Sequence, residues 1–336
     1  MGNKIRIGIA GYGNLGRGVE ASVAQNPDME LVGVFTRRDP ATVSPAQPET
    51  QVFAWDTLAA RTGDVDVMIL CGGSASDLPQ QSPELAGLFN IVDSFDTHAN
   101  VPAHFAAVDA PALETKHTAV ISTGWDPGMF SLNRLFGEAI LPQGKTYTFW
   151  GRGVSQGHSD AIRRVPGVAA GVQYTLPAQP AIEAVRNGEQ PELSTREKHT
   201  RECYVVLEEG ADAAAVRETI VSMPNYFADY DTTVHFISAE ELAEQHNSMP
   251  HGGFVMRSGD TGHGAVAQDG TAHRQVIEYG LTLADNPSFT ASVLVAYARA
   301  AYRLAQAGNF GAKTVFDIAP GLLDIRFAGE LRRELL

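Results

Sequence analysis

The sequence predicts an α/β protein with a doubly wound parallel sheet in its N-terminal part, followed by a second, α+β domain. Three observations carry this. Short apolar strands alternate with helical stretches over the first 124 residues, a glycine-rich turn joins the first strand to the first helix, and the strand pattern changes after Gly124.

Ile5, Ile7 and Ile9 alternate with small or polar residues, residues 11–16 form a tight turn, and a helical pattern runs on through Val23. Residues 31–35 and 65–70 read as strands. The second is almost continuously apolar, as a strand covered on both faces must be. Residues 79–89 read as a helix, Ile91 and Val92 as the core of a short strand, 102–113 as a helix and 119–122 as a further strand. Beyond Gly124 the strands are longer and more alternating, at 146–150, 202–207, 232–237 and 275–283. That pattern suits an antiparallel sheet with one covered face. From Asn286-Pro287 an alanine-rich helix runs to about Ala307, with proline at the second position as helix starts favour.

Bulk properties bound the function. A chain of 336 residues with 44% hydrophobic content can bury the cores of two domains. A net charge of −14 repels a polyphosphate backbone, so nucleic acid is excluded as a general partner and a phosphorylated cofactor needs a local positive pocket. Two cysteines, Cys71 and Cys203, cannot build a disulfide framework and fit buried thiols in a cytoplasmic protein. The N-terminus reads as a strand rather than a signal peptide, and no apolar run is long enough to span a bilayer, so no membrane role is expected. The histidines and cysteines show no metal-ligand spacing.

Gly11-Tyr12-Gly13-Asn14-Leu15-Gly16 follows the first strand and opens the first helix, the arrangement of a Rossmann-type dinucleotide site. Gly11 permits the turn, Gly13 lets backbone amides approach a pyrophosphate, and Gly16 lets helix and strand pack closely. The helix N-terminus adds unpaired N–H groups and a positive dipole end. At the end of the second strand, NAD sites carry a carboxylate for the ribose 2′-hydroxyl; this chain has Thr36-Arg37-Arg38. Two guanidiniums there fork a phosphate, so NADP is the expected cofactor. A solvated basic turn with Asp39 as counter-ion is the competing reading. Cys71-Gly72-Gly73-Ser74 follows the next buried strand and leaves room for a ligand at its carboxyl end; an ordinary turn with Asp77 capping the next helix is compatible with the same residues.

Together these segments resemble the meso-diaminopimelate D-dehydrogenase family. The resemblance runs through residues 11–17 and 36–38, then Ser122-Thr123-Gly124-Trp125-Asp126-Pro127-Gly128-Met129-Phe130-Ser131. It continues through Phe149-Trp150-Gly151, residues 155–160, 172–177 and 249–253, Asp285-Asn286-Pro287 and residues 289–292. It implies NADP-dependent, reversible oxidative deamination of the D-centre of meso-2,6-diaminopimelate. The products are ammonia and L-2-amino-6-oxopimelate, which cyclises to tetrahydrodipicolinate, a step of lysine biosynthesis. It also implies a homodimer. The dinucleotide-binding domain at 1–124 would be completed by 290–336, with a substrate-binding and dimerisation domain at 125–289.

The resemblance adds Ser94, Thr123 and Trp125 to the cofactor set and assigns Asp96 and Asp126 to the reacting amino centre. Both aspartates fall just past predicted strands, where such a crevice opens. Each can clamp an ammonium or act as general base, and the sequence does not separate them. Asp93 and Asp96 also read as turn makers, and Asp126 as a turn initiator before Pro127. Trp150 can wall the reacting carbon. Gln156 and Gly157 can donate to its carboxylate, and Asp160 can orient their loop. His158 reads as a structural hydrogen bonder. For the distal L-centre the resemblance points to Thr175, Arg201, His251 and Asn286. Taken singly, Arg201 would be a solvated strand residue and Asn286 a helix cap. The stretch 260–271 is longer and more glycine-rich than in familiar members and lies between His251 and Asn286. This keeps open a broad D-amino acid dehydrogenase; a non-catalytic NADP-binding sensor is the third reading.

Overall fold

A computed structural model describes residues 4–261 and 274–336, and the chain divides into two compact units, 1–132 with 287–336, and 133–286. The stretch 260–271 singled out above lies outside the described residues from Gly262 onward.

In the first unit the chain runs β1 (Ile5–Ala10), α1 (Asn14–Ala24), β2 (Met29–Thr36), β3 (Val52–Ala54), β4 (Val67–Leu70), α2 (Leu78–Ala86), β5 (Asn90–Asp93), α3 (Val101–Thr115) and β6 (Thr118–Val120). The middle of the chain follows with α4 (Met129–Ile140), β7 (Gln143–Trp150), β8 (Gly153–Val154), α5 (Gln156–Arg163), β9 (Val168–Pro177), α6 (Gln179–Arg186) and α7 (Thr195–Lys198). It continues with β10 (His199–Leu207), α8 (Ala213–Val221), β11 (Asp231–Phe236), α9 (Ala239–Gln245), β12 (His251–Asp260) and β13 (Gln275–Leu283). The chain closes with α10 (Asn286–Gln306), β14 (Gly311–Lys313) and α11 (Ala328–Leu335).

The first unit holds a seven-stranded sheet in the order β14-β6-β5-β4-β1-β2-β3, every pair parallel. Both faces are covered. Ile5, Ile7 and Ile9 of β1 and Val67 and Ile69 of β4 pack into one core with residues of α1 and α10. Ala10, Met68 and Leu70 pack into the opposite core with residues of α2 and α3. The period-two alternation within single strands therefore feeds two apolar layers, which explains why these strands read as continuous apolar runs. α1 and α10 cross closely: a Cβ on Gly18 would lie 2.8 Å from the Cβ of Ala291. The strand order reverses between β1 and β4, so their carboxyl-end turns flank the crevice where such sheets bind ligands.

The second unit holds two smaller sheets, β11-β10-β9-β8 and β13-β12-β7. The four-stranded sheet departs from the antiparallel expectation, because β10 and β11 run parallel. The reason is the connection: α8 carries the chain back across the sheet before β11 begins, and a crossover of this kind delivers a parallel strand. Ile162 of α5 and Val216 and Ile220 of α8 cover that sheet, while Ile182 and Val185 of α6 cover the other. Cys203 is fully buried and burial pushes its thiol up to about 12, so it stays protonated. Among the described residues no helix is long and apolar enough to cross a membrane.

Candidate active site

At the end of β1, the Gly11 N–H bonds the Phe35 carbonyl at 2.8 Å, and the Cys71 N–H bonds the Ala10 carbonyl at 2.8 Å. The chain then turns at Gly11, whose φ of +94° suits glycine. A Cβ on Gly16 would stand 2.5 Å from the Gly11 carbonyl oxygen, so only glycine lets α1 approach the turn this closely. Around Gly13 the space is open, with nothing within 4 Å of a Cβ position, and no side chain caps α1. The first amides of the helix are thus left to a ligand.

These turns border a cavity of about 560 Å³. It is lined by Gly11, Tyr12 and Gly13, by Thr36, Arg37 and Arg38 after β2, by Cys71, Gly72 and Gly73 after β4, and by Trp55, Asp77 and Gln81. Asn14, Leu15, Gly16, Ser74, Ser94, Thr123 and Trp125 stand outside this lining. The two arginines are each tied to one turn. Arg38 Nη2 donates to the Tyr12 carbonyl at 2.7 Å, and its backbone N–H donates to Thr36 Oγ1 at 3.1 Å. Arg37 Nη2 meets Asp77 Oδ1 at 2.7 Å, and Asp77 Oδ2 accepts from the Gly73 N–H at 2.8 Å. The Gly73 amide and the Arg37 charge hold the Asp77 carboxyl below the usual carboxylate range. Asp77 therefore replaces Asp39 as the partner of the basic turn, and it caps no helix amide of α2 because its carboxylate folds back onto Gly73. Asp39 accepts from the Ala41 N–H instead, at 3.0 Å. Neither Trp55 nor Gln81 carries a sequence signal for this role.

The two candidate aspartates sit on turns after β5 and β6. Asp96 is exposed, and its N–H donates to Ser74 Oγ at 2.8 Å, joining two residues that the sequence placed in the site separately. Ser94 lies two residues earlier on the same turn. Thr123 is buried, its N–H on the Asp93 carbonyl at 2.9 Å. Trp125 is buried edge-on against Phe130 and bridges to Gly128; Asp126 follows, half-buried, with a cis bond to Pro127.

In the second unit, register brings Thr175 of β9 opposite Arg201 of β10. Arg201 is only 5% exposed, which overturns the solvated reading: His199, Arg201, Cys203 and Val205 all point to the covered face of β10. Its Nη1 donates to Thr175 Oγ1, the guanidinium lies 3.9 Å from the Tyr230 ring centre, and its buried Nε has no partner. Gln173 Oε1, also buried, has none either, while its Nε2 reaches Thr175 Oγ1 at 3.4 Å. Among the described residues no carboxylate pairs with Arg201, and burial lowers its pKa. Burial first, and the Arg201 charge second, push His158 and His199 down to about 4, so both are neutral at ordinary pH. His158 Nδ1 meets Ser155 Oγ at 2.8 Å, the structural bond expected of it.

Trp150 ends β7, its N–H on His199 Nε2 at 2.9 Å and its ring stacked on the His199 ring at 5.3 Å. Trp150 pairs with Gly253 of β12, the strand that His251 opens. A Cβ on Gly153 would lie 2.6 Å from the His251 ring. The Asn286 N–H donates to the Met249 carbonyl at 2.9 Å as α10 begins. Gln156 and Gly157 open α5, and Ser155 caps it. Asp160 is exposed and paired with Arg163 one turn further along α5. Gln173, His199 and Tyr230 stand around Thr175 and Arg201 without having been singled out as site residues from the sequence; strand register and burial bring them into view.

Residues 124–285 match the family model described as the diaminopimelic acid dehydrogenase C-terminal domain. The chain is 62% identical over 334 residues to a meso-diaminopimelate D-dehydrogenase from Ureibacillus thermosphaericus, covering 99% of this chain and 100% of the relative. Among solved structures, a substituted meso-dapdh mutant with DAP from Clostridium tetani E88 superposes with a TM-score of 0.90 at 52% identity, covering 99% and 100% of the two chains. An engineered D-amino acid dehydrogenase bound to NADP+ superposes with a TM-score of 0.83 at 41% identity, again covering 99% and 100%.

Proposed function

The chain belongs to the meso-diaminopimelate D-dehydrogenase family, and on that premise we propose that it oxidatively deaminates the D-centre of meso-2,6-diaminopimelate with NADP, reversibly, in lysine biosynthesis. The products are L-2-amino-6-oxopimelate, which cyclises to tetrahydrodipicolinate, and ammonia. The observation that carries the reading is Arg201: a buried guanidinium with no carboxylate partner among the described residues suits the distal carboxylate of a diamino diacid. Thr175 adds a donor beside it, and His251 and Asn286 complete the distal set.

The residues of the cofactor cavity fit NADP. Arg37 and Arg38 would hold the 2′-phosphate, and the open turn at Gly13 with the uncapped start of α1 would hold the pyrophosphate. When bound, NADP accepts the hydride of the D-carbon. Asp96 and Asp126 hold the reacting ammonium, and one of them takes the proton released as the amine becomes an imine. Water then adds to the imine carbon under the same carboxylates, and ammonia leaves. The net change is alkylammonium plus water plus NADP+ to ketone, ammonium, NADPH and one proton. Trp150 walls the carbon, while Gln156 and Gly157 donate to its carboxylate. The enzyme works in the cytoplasm as a homodimer, with 1–124 and 290–336 carrying the cofactor and 125–289 carrying substrate recognition and dimerisation.

The deciding experiment follows absorbance at the nicotinamide wavelength with NADP and NAD against resolved diaminopimelate isomers. Reduction of NADP with the meso isomer and stoichiometric ammonia are expected. No turnover with any isomer sinks the reading, and comparable rates with simple D-amino acids replace it with the broad dehydrogenase.

A further inference from the structure

We infer that Asp93 is a positioning residue whose buried carboxylate locks together the two turns that carry Asp96 and Asp126; the inference rests on the catalytic reading of those two aspartates.

Asp93 is the last residue of β5 and is fully buried. The parallel ladder between β5 and β6 pairs Ile91 with Ala119 and Val92 with Val120, and then stops. Beyond that point Asp93 takes over the tie. Its Oδ1 accepts from the Phe95 N–H at 3.0 Å on its own turn, and from the Ser122 N–H at 2.8 Å on the other. Its backbone carbonyl accepts from the Thr123 N–H at 2.9 Å. One residue thus bonds the amide just before Asp96 and two amides leading toward Asp126. Ser122 has φ +53°, a left-handed conformation that a serine keeps only when its surroundings hold it.

The carboxylate is itself fixed from behind. Oδ2 accepts from Ser82 Oγ of α2 at 2.7 Å and meets His104 Nε2 of α3 at 2.8 Å. The His104 ring stacks on Phe95 at 4.0 Å, closing the loop back onto the Asp96 turn. A buried carboxylate so fully partnered transmits its own position to everything bonded to it.

Misplacing two acid–base groups by a fraction of an ångström lowers the rate constant for chemistry more than NADPH affinity, because the cavity lining that would hold the phosphates lies on the turns after β1, β2 and β4, and only Ser94, Thr123 and Trp125 of the cofactor set share the turns tied by Asp93. Asp93→Ala is therefore expected to lower kcat by about 100-fold, with the NADPH dissociation constant, read by nucleotide fluorescence, within about threefold of the parent. Asp93→Asn is expected to recover most of the rate. Its amide oxygen can accept both backbone N–H groups, and its NH2 can donate to Ser82 and to an unprotonated His104. Should Asp93→Ala not fold, His104→Phe decides: it keeps the stack on Phe95, removes one support of Oδ2, and is expected to lower kcat about tenfold at unchanged NADPH affinity. An unchanged kcat in either variant overturns the inference. So does a loss of kcat matched by an equal loss of NADPH binding, which marks a merely structural role. Asp96→Asn and Asp126→Asn run alongside. If both keep the parent rate, the catalytic reading fails; if they lose it while the Asp93 variants do not, only the positioning role fails.

Discussion

The cofactor cavity and the surroundings of Arg201, proposed above to receive a substrate carboxylate, present positive charge in opposite ways. The cavity is built largely from main chain: glycine turns after β1 and β4, an uncapped helix start, and two arginines each held by one of those turns. The pocket is built from side chains on paired strands, with a single buried cation at its centre and two neutral histidines nearby. Charge in the cavity is shared by several weak donors, so losses there should be graded. Charge in the pocket is concentrated in one group, so a single substitution should empty it. That contrast can be broken experimentally.

The largest effect is expected at Arg201. Truncating it leaves a substrate carboxylate buried without a partner, which costs about 4 kcal/mol, or roughly 1,000-fold. Arg201→Ala should therefore raise the KM for meso-diaminopimelate by about that factor while leaving the KM for NADP within twofold. Steady-state rates varying each substrate in turn check this. A fall in kcat at constant KM would mean that the pocket acts on the transition state rather than on binding.

In the cavity, Arg37→Ala with Arg38→Ala removes two charged donors that are partly exposed. The expected rise in the KM for NADP is about 100-fold, near 3 kcal/mol, with little change for NAD. Equal effects on both cofactors would show that the arginines hold the turns rather than the 2′-phosphate, through their bonds to Tyr12 and Asp77.

The same contrast governs what could be read before the structure. The glycine turn and the arginine pair are contiguous, and each residue's task follows from its neighbours, so the cavity was legible. The parallel sheet was legible too, because strands feeding two cores leave unbroken apolar runs. β9 and β12 went unrecognised: β9 buries consecutive residues through Gln173 and Thr175, and β12 carries Gly252, Gly253, Arg257 and Ser258. The parallel partner of β10 was misjudged because its direction depends on α8, a helix with no strong signature. Alternation also misdirected Arg201, since a charged residue on a strand is normally the outward one. Only the family resemblance pointed to it. Asp93 and Asp96 share one short turn, and composition cannot tell that the first is buried and fully bonded while the second is exposed.

The last effect expected acts on stability rather than on catalysis and concerns the histidines beside Arg201. His199 is almost fully buried, and burial together with the Arg201 charge lowers it from 6.5 to about 4. In the unfolded chain it takes up a proton as pH falls through 6.5, whereas in the folded chain it resists until about 4. Between those values the unfolded state binds more protons, so stability is full above pH 6.5, declines as pH falls toward 4, and loses nothing further from this group below that. The shift corresponds to at most about 3 kcal/mol over that window. Urea unfolding at steps from pH 7 to pH 4 should show the decline, and His199→Gln should flatten it, since a glutamine oxygen can still accept from the Trp150 N–H without titrating. Adding Arg201→Ala to the parent should flatten part of the same slope by removing the charge that helps keep the histidine neutral. If the slope survives His199→Gln unchanged, the acid sensitivity belongs to carboxylates elsewhere, and the pocket's charge is less concentrated than its geometry implies.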